Sequence, residues 1–132
     1  MLTMIVCLTL CDVSSRNDLL LRTWKAVAWT ESQGDPKAYN AKEDAAGIAQ
    51  IRPIMVKDAN RIIGYEKYTL ADRWDPIKSY EIWRLYSLYY APDGTPEVWA
   101  RNWCSGPKGH TKDCSLPYWK RVRAEMSRSC CK

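Results

Sequence analysis

With 132 residues, a net charge of +5 and 46% apolar residues, this chain is the size of one domain with a modest core. The charge is uneven. Residues 101–132 hold eight Lys/Arg against two acids, a surplus of six, and residues 1–100 hold twelve against thirteen. A basic C-terminal third suits an anionic partner, with cell-wall polymer, nucleic acid and a membrane surface all open on charge alone, or simply a solvated helix face. Seven Trp and eight Tyr against no Phe is a skew toward flat faces with polar handles. Such faces serve a core and also stack on sugar rings.

In chain order, Leu2 to Cys11 is a short apolar run followed by the small residues Val13-Ser14-Ser15, a signal-like segment (1–15) without the usual preceding Lys or Arg. It is far too short to span a membrane. The spacing predicts a first helix from after Ser14-Ser15 to Ser32, with Leu20, Trp24, Val27, Ala28 and Glu31 on one face. Asp35-Pro36 ends it, and residues 34–46 read as a turn or short hairpin. A second helix is expected from Pro53 to Ile63, stopping at Gly64. Asp75-Pro76 opens a third, with Ile82, Leu85, Tyr86 and Tyr89 facing inward. Thr95-Pro96-Glu97 starts a fourth that ends at Gly106-Pro107. Ser115-Leu116-Pro117 starts a fifth, with Tyr118, Val122 and Met126 on one side. The expected fold class is mainly α, in one domain over 16–132.

The six cysteines (Cys7, Cys11, Cys104, Cys114, Cys130, Cys131) include no Cys-x-x-Cys pair, and the single His110 leaves no zinc ligand set. An exported protein with disulfides fits this usage, and Cys104 and Cys114 can close the loop between them. The vicinal pair at 130–131 has no assignable partner. No phosphate loop is present, and no Ser-His-Asp arrangement, so neither metal nor cofactor is expected.

Glu31 is the first candidate for chemistry. It is either an exposed Glu at a helix end or a carboxyl on an apolar face, where desolvation would raise its pKa toward that of a general acid. The segment after it adds weight. Glu31-Ser32, Asp35-Pro36, Ala38 and Ala46-Gly47-Ile48-Ala49-Gln50-Ile51-Arg52-Pro53 together resemble the catalytic motif of the lytic transglycosylases of the SLT type, which have a lysozyme-like fold. Asp75-Pro76 with its Tyr-rich helix, Ala100 to Pro107, and Ser115-Leu116-Pro117-Tyr118-Trp119 resemble the family's later blocks, so the likeness covers roughly residues 19–126. It implies a lysozyme-like helical domain with a hairpin after the catalytic helix.

The resemblance also implies roles. Glu31 matches the family's single catalytic acid, and Ser32 its neighbour in the motif. Gln50, Trp103 and Tyr118 match substrate-groove positions, Tyr118 close to the acid. The implied reaction is cleavage of the β-1,4 bond between N-acetylmuramic acid and N-acetylglucosamine to a 1,6-anhydro product. Peptidoglycan glycan strands are the implied partner, with no nucleic acid, for an exported monomer without a membrane span. Two alternatives stay open. A goose-type, lysozyme-like hydrolase would need a second carboxylate, for which Asp44 is the candidate with Glu43 and Asp35 behind it, although Asp44 also reads as a turn residue. A non-catalytic wall-binding relative is suggested by Cys104, which stands where the family has an asparagine; a Cys104–Cys114 disulfide would take over that residue's structural part.

Overall fold

The computed structural model describes the backbone of residues 2–130 and the side chains of residues 15–129. Five α-helices and one two-stranded hairpin lie among them: α1 (Leu2–Ser32), β1 (Tyr39–Asn40), β2 (Ala45–Ala46), α2 (Pro53–Ile63), α3 (Pro76–Tyr90), α4 (Pro96–Ser105) and α5 (Leu116–Cys130), with single 3-10 turns at Leu70–Trp74, Gly109–Thr111 and Asp113–Ser115. The mainly helical expectation holds, and so does the hairpin after the first helix. No helix among the described residues is long and apolar enough to cross a membrane.

The main difference lies at the start. α1 begins at Leu2, well before Ser14-Ser15. The first glycine is Gly34 and the first proline Pro36, so nothing upstream breaks the helix, and two serines are too weak to stop it. The other helices start and stop where their punctuation places them. Pro53, Pro76 and Pro96 each occupy a first-turn position, where the missing N–H costs nothing. The Asp75 side chain accepts from the N–H groups of Ile77 and Lys78, and Thr95 from that of Val98. Gly64 closes α2 with φ at 94°, a conformation that glycine adopts without strain.

The core gathers one face of every helix. Leu20, Trp24 and Val27 of α1, Ile82 and Trp83 of α3, Trp99 and Trp103 of α4, and Tyr118 and Val122 of α5 are all buried. On α3 the inward face is rotated from the expected one: Trp83 is fully buried, whereas Tyr89 is 52% exposed. The larger indole takes the central place and packs on Trp24 at 5.7 Å between centroids. Tyr89 instead stands edge-on to Tyr90 at 4.9 Å, under the guanidinium of Arg61.

Cys104 and Cys114 are both free thiols, so the expected bridge is not made. Polar contacts hold that loop instead. The Arg101 guanidinium donates to Ser115 Oγ at 2.8 Å and to the Lys112 carbonyl at 3.0 Å, and the buried Asn102 Oδ1 accepts from the His110 backbone N–H at 3.0 Å. Cys7, Cys11, Cys130 and Cys131 lie outside the residues whose side chains are described.

Candidate active site

Glu31 sits in the last turn of α1. Its carboxylate Oε1 accepts a hydrogen bond of 2.8 Å from the hydroxyl of Tyr118, at the start of α5. Tyr118 is 6% exposed, so the acid lies against an apolar wall made where α1 and α5 pack together. Burial pushes the Glu31 carboxyl up from 4.5 to about 7, against the opposing pull of the Tyr118 hydrogen bond and the positive charges of Arg121 and Arg52. The C-terminal end of a helix carries partial negative charge, which acts in the same direction as burial. A carboxyl held near 7 is still partly protonated at neutral pH and can give its proton up, as a general acid requires.

The same contact raises Tyr118 well above the ordinary phenol value, first by burial and then by the adjacent carboxylate. Tyr118 therefore stays a donor over the whole working range. Arg121, one helical turn further along α5, lies over the Tyr118 ring at 5.6 Å.

The segment after Glu31 is tightly built. Ser32 Oγ lies 2.7 Å from the Ile48 carbonyl and 3.2 Å from that of Ala28, and accepts from the Asp35 N–H at 3.1 Å. This hydroxyl ties the end of α1 to the turn after β2 that carries Gln50. The three non-glycine residues with positive φ among the described residues all fall here: Gln33 (56°), Asp44 (49°) and Gln50 (52°). Such strain persists only where the surroundings enforce it, and it concentrates at functional sites.

Gln50 donates both amide protons inward, to the carbonyls of Gly47 (2.9 Å) and Ala38 (3.1 Å). Its carbonyl oxygen is the half left to meet a ligand. Gly47 fixes the turn beneath it, since a Cβ there would run into the Arg73 carbonyl, and its φ of 81° already favours glycine. Trp103 is 2% exposed, meets Tyr86 edge-on at 5.4 Å and donates its indole N–H to the Ala49 carbonyl at 3.3 Å. It carries the α4 wall and braces the turn that holds Gln50.

Asp44 is engaged from two sides. Its Oδ1 accepts from the Tyr39 hydroxyl at 2.9 Å and from Arg73 Nη1 at 3.2 Å, and Arg73 also donates to the carbonyls of Asp44 and Ile51. Asp35 Oδ1 accepts from the Lys37 N–H within its own turn. Glu43 is exposed, and its negative charge adds slightly to the rise at Glu31. Cys104 is half-buried and packs against the core that holds Tyr118. No group of three or more His, Cys, Asp or Glu side chains among the described residues is placed to hold a metal.

Glu31, Ser32, Gln50 and Tyr118 are thus joined by direct contacts or through the turn after β2, with Trp103 bracing that turn from behind. Sequence reasoning missed Arg73, whose packing under the hairpin leaves no pattern in the chain, and Arg121, whose placement three residues after Tyr118 was a readable signal. It also missed a cavity of about 560 Å³ between α2 and α4, lined in part by Arg52, Tyr86 and Trp103.

Comparison with curated proteins and with solved structures gives no match. A family model described as Transglycosylase SLT domain matches residues 12–103, well over half of the chain. The span takes in Glu31, the hairpin, Gln50 and Trp103; Tyr118 lies beyond it and is tied to the acid by its hydrogen bond. The helical architecture agrees with a lysozyme-like domain of this kind, and on the strength of the match the chain belongs to the transglycosylase SLT domain family.

Proposed function

We propose that this protein is a peptidoglycan lytic transglycosylase that cleaves the β-1,4 bond between N-acetylmuramic acid and N-acetylglucosamine with Glu31 as its single acid and base. The observation that carries the reading is the Glu31–Tyr118 contact: a half-buried carboxyl, held near 7 by burial and oriented by a buried phenol at 2.8 Å. Glu31 donates its proton to the glycosidic oxygen as that bond breaks. The substrate's own N-acetyl oxygen closes on the anomeric carbon, which spares the enzyme a second carboxylate. Glu31, now a carboxylate, takes the proton of the muramic 6-hydroxyl as its oxygen attacks the same carbon, giving the 1,6-anhydro ring and restoring the N-acetyl group. Gln50 offers its carbonyl to the N-acetyl N–H, and Ser32 and Trp103 line and brace the groove.

A hydrolase would need Asp44 to activate water, and the engagement of Asp44 by Tyr39 and Arg73 argues against that use. Export as a monomer belongs to the same proposal, because the substrate lies outside the cell membrane. The test is digestion of purified peptidoglycan followed by mass spectrometry of the released fragments. Anhydro-muropeptides from wild type and none from Glu31→Gln are expected. Reducing-end products would favour the hydrolase, and wall binding without release would favour a non-catalytic relative.

A further inference from the structure

Arg73 is a costly residue to place beneath a hairpin. It is 6% exposed, and the side chain of its carboxylate partner Asp44, 3.2 Å away, is 45% open to solvent. Stability alone does not ask for a charge there, since packed apolar groups of similar size often serve a core equally well. A guanidinium supplies what they cannot, several donors in a fixed fork. Nε donates to the Leu70 carbonyl at 3.0 Å and fixes the side chain on its own turn. Nη1 then donates to the backbone carbonyls of Asp44 at 2.7 Å and Ile51 at 3.2 Å.

Those two carbonyls bracket the segment that carries Gln50. Asp44 precedes β2, and Ile51 follows Gln50 directly. Asp44 (φ 49°) and Gln50 (φ 52°) are also its two strained corners. Ile51 bonds Ala46 in both directions at 3.0 Å, so any shift of Ile51 carries the turn between them along. From below, the Arg73 carbonyl accepts from the fully buried Ser79 hydroxyl at 3.0 Å and fills the space that a side chain on Gly47 would need. Side chain and backbone of one residue thus hold both ends and the middle of residues 44–51. Hydrogen bonds from a charged donor are the stronger kind, which suits a segment under strain.

Resting on the reading of Gln50 as a contact to the substrate's N-acetyl group, we propose that Arg73 is a positioning residue of the glycan site, aiming the Gln50 carbonyl from beneath the hairpin without touching sugar itself. Gln50 uses both amide protons on Gly47 and Ala38, so its remaining oxygen points where this turn points it. With the turn loosened, the sugar itself must order that oxygen on binding. The loss then falls on affinity, and Glu31 with its phenol, held by α1 and α5, stays as it was.

The test uses the full chain carrying Glu31→Gln, so that ligand is not consumed, and titrates a soluble GlcNAc–MurNAc tetrasaccharide by calorimetry in a double-mutant cycle of Arg73→Met and Gln50→Ala. Arg73→Met fills the space and removes the donors. Alone it should weaken binding about tenfold, the scale of one hydrogen bond. On top of Gln50→Ala it should add no further loss. Arg73→Lys keeps a charged donor and should recover part of the affinity; it also carries the cycle should the Met variant not fold. With Glu31 intact, Arg73→Met should raise KM for fragment release and keep kcat close to wild type. Unchanged affinity, a double variant whose loss is the sum of the two single losses, or a fall in kcat at constant KM each overturns the assignment. The binding cycle does not depend on the reaction. Wild-type digestion without anhydro products would therefore sink the transglycosylase reading alone, and an additive cycle would sink the role of Arg73 alone.

Discussion

The Tyr118 hydroxyl reaches Glu31 Oε1 at 2.8 Å across 87 positions of sequence, and this one bond joins the last turn of the first helix to the first turn of the last. It stabilises the carboxylate, so it restrains the rise that burial imposes on Glu31. The acid's strength is set by the balance of the two.

Activity should therefore fall on the alkaline side with an apparent pKa of about 7, as Glu31 loses the proton it must donate. Tyr118→Phe removes the hydrogen bond that lowers this value, so its alkaline limb should move to higher pH while the maximal rate drops. A pH–rate profile of soluble fragment release is the check. An unmoved or acid-shifted limb in Tyr118→Phe would contradict the arrangement.

Glu31→Gln should cost activity by about 10²–10⁴-fold, the usual worth of a positioned acid and base, and should raise stability at the same time. A carboxyl with a folded pKa of about 7 and an ordinary value of 4.5 holds its proton more tightly in the folded state. Its contribution is neutral below 4.5, becomes unfavourable as pH climbs from 4.5 through 7, and is constant above. The shift corresponds to at most about 3 kcal/mol. Urea unfolding at pH 8 should show the variant more stable than wild type, and at pH 4 the two should coincide.

Asp44→Asn keeps a hydrogen-bond acceptor for Tyr39 and Arg73 while removing the charge. The proposed reaction predicts anhydro product at close to the wild-type rate from this variant, measured by the same fragment release. A large loss of rate, on the order of 10²-fold, would mean that Asp44 activates a nucleophile after all.

Gly47→Ala forces a Cβ into the Arg73 carbonyl at a backbone conformation that already disfavours side chains. Destabilisation of about 3 kcal/mol or more is expected from such a clash. Chemical denaturation would read it, and a well-folded Ala variant would show that the hairpin and the Leu70–Trp74 turn are less tightly joined than this packing implies.

Much of this arrangement was legible in the chain. Pro53, Pro76 and Pro96, the last two with the side-chain caps of Asp75 and Thr95, placed three helices almost to the residue, because proline and its caps act locally. The motif from Glu31 to Pro53 singled out the acid for the same reason: its turn chemistry is written in consecutive residues. What stayed hidden depends on distant partners. Arg73 under the hairpin, the rotation of α3 that buries Trp83 in place of Tyr89, and the two free thiols at Cys104 and Cys114 all follow from which side chains fit together in three dimensions. The extra length of α1 was a matter of missing breakers, outweighed in the reading by two serines.

The placement of Tyr118 on α5 also bears on when the proposed acid is competent. Until α5 docks on α1, Glu31 has neither its phenol nor the wall that keeps water away, and is an ordinary glutamate, ionised at neutral pH. Under the proposed reaction, a chain locally unravelled at α5 would then lack its general acid. Under the proposed reaction, competence therefore depends on α5 staying docked on α1.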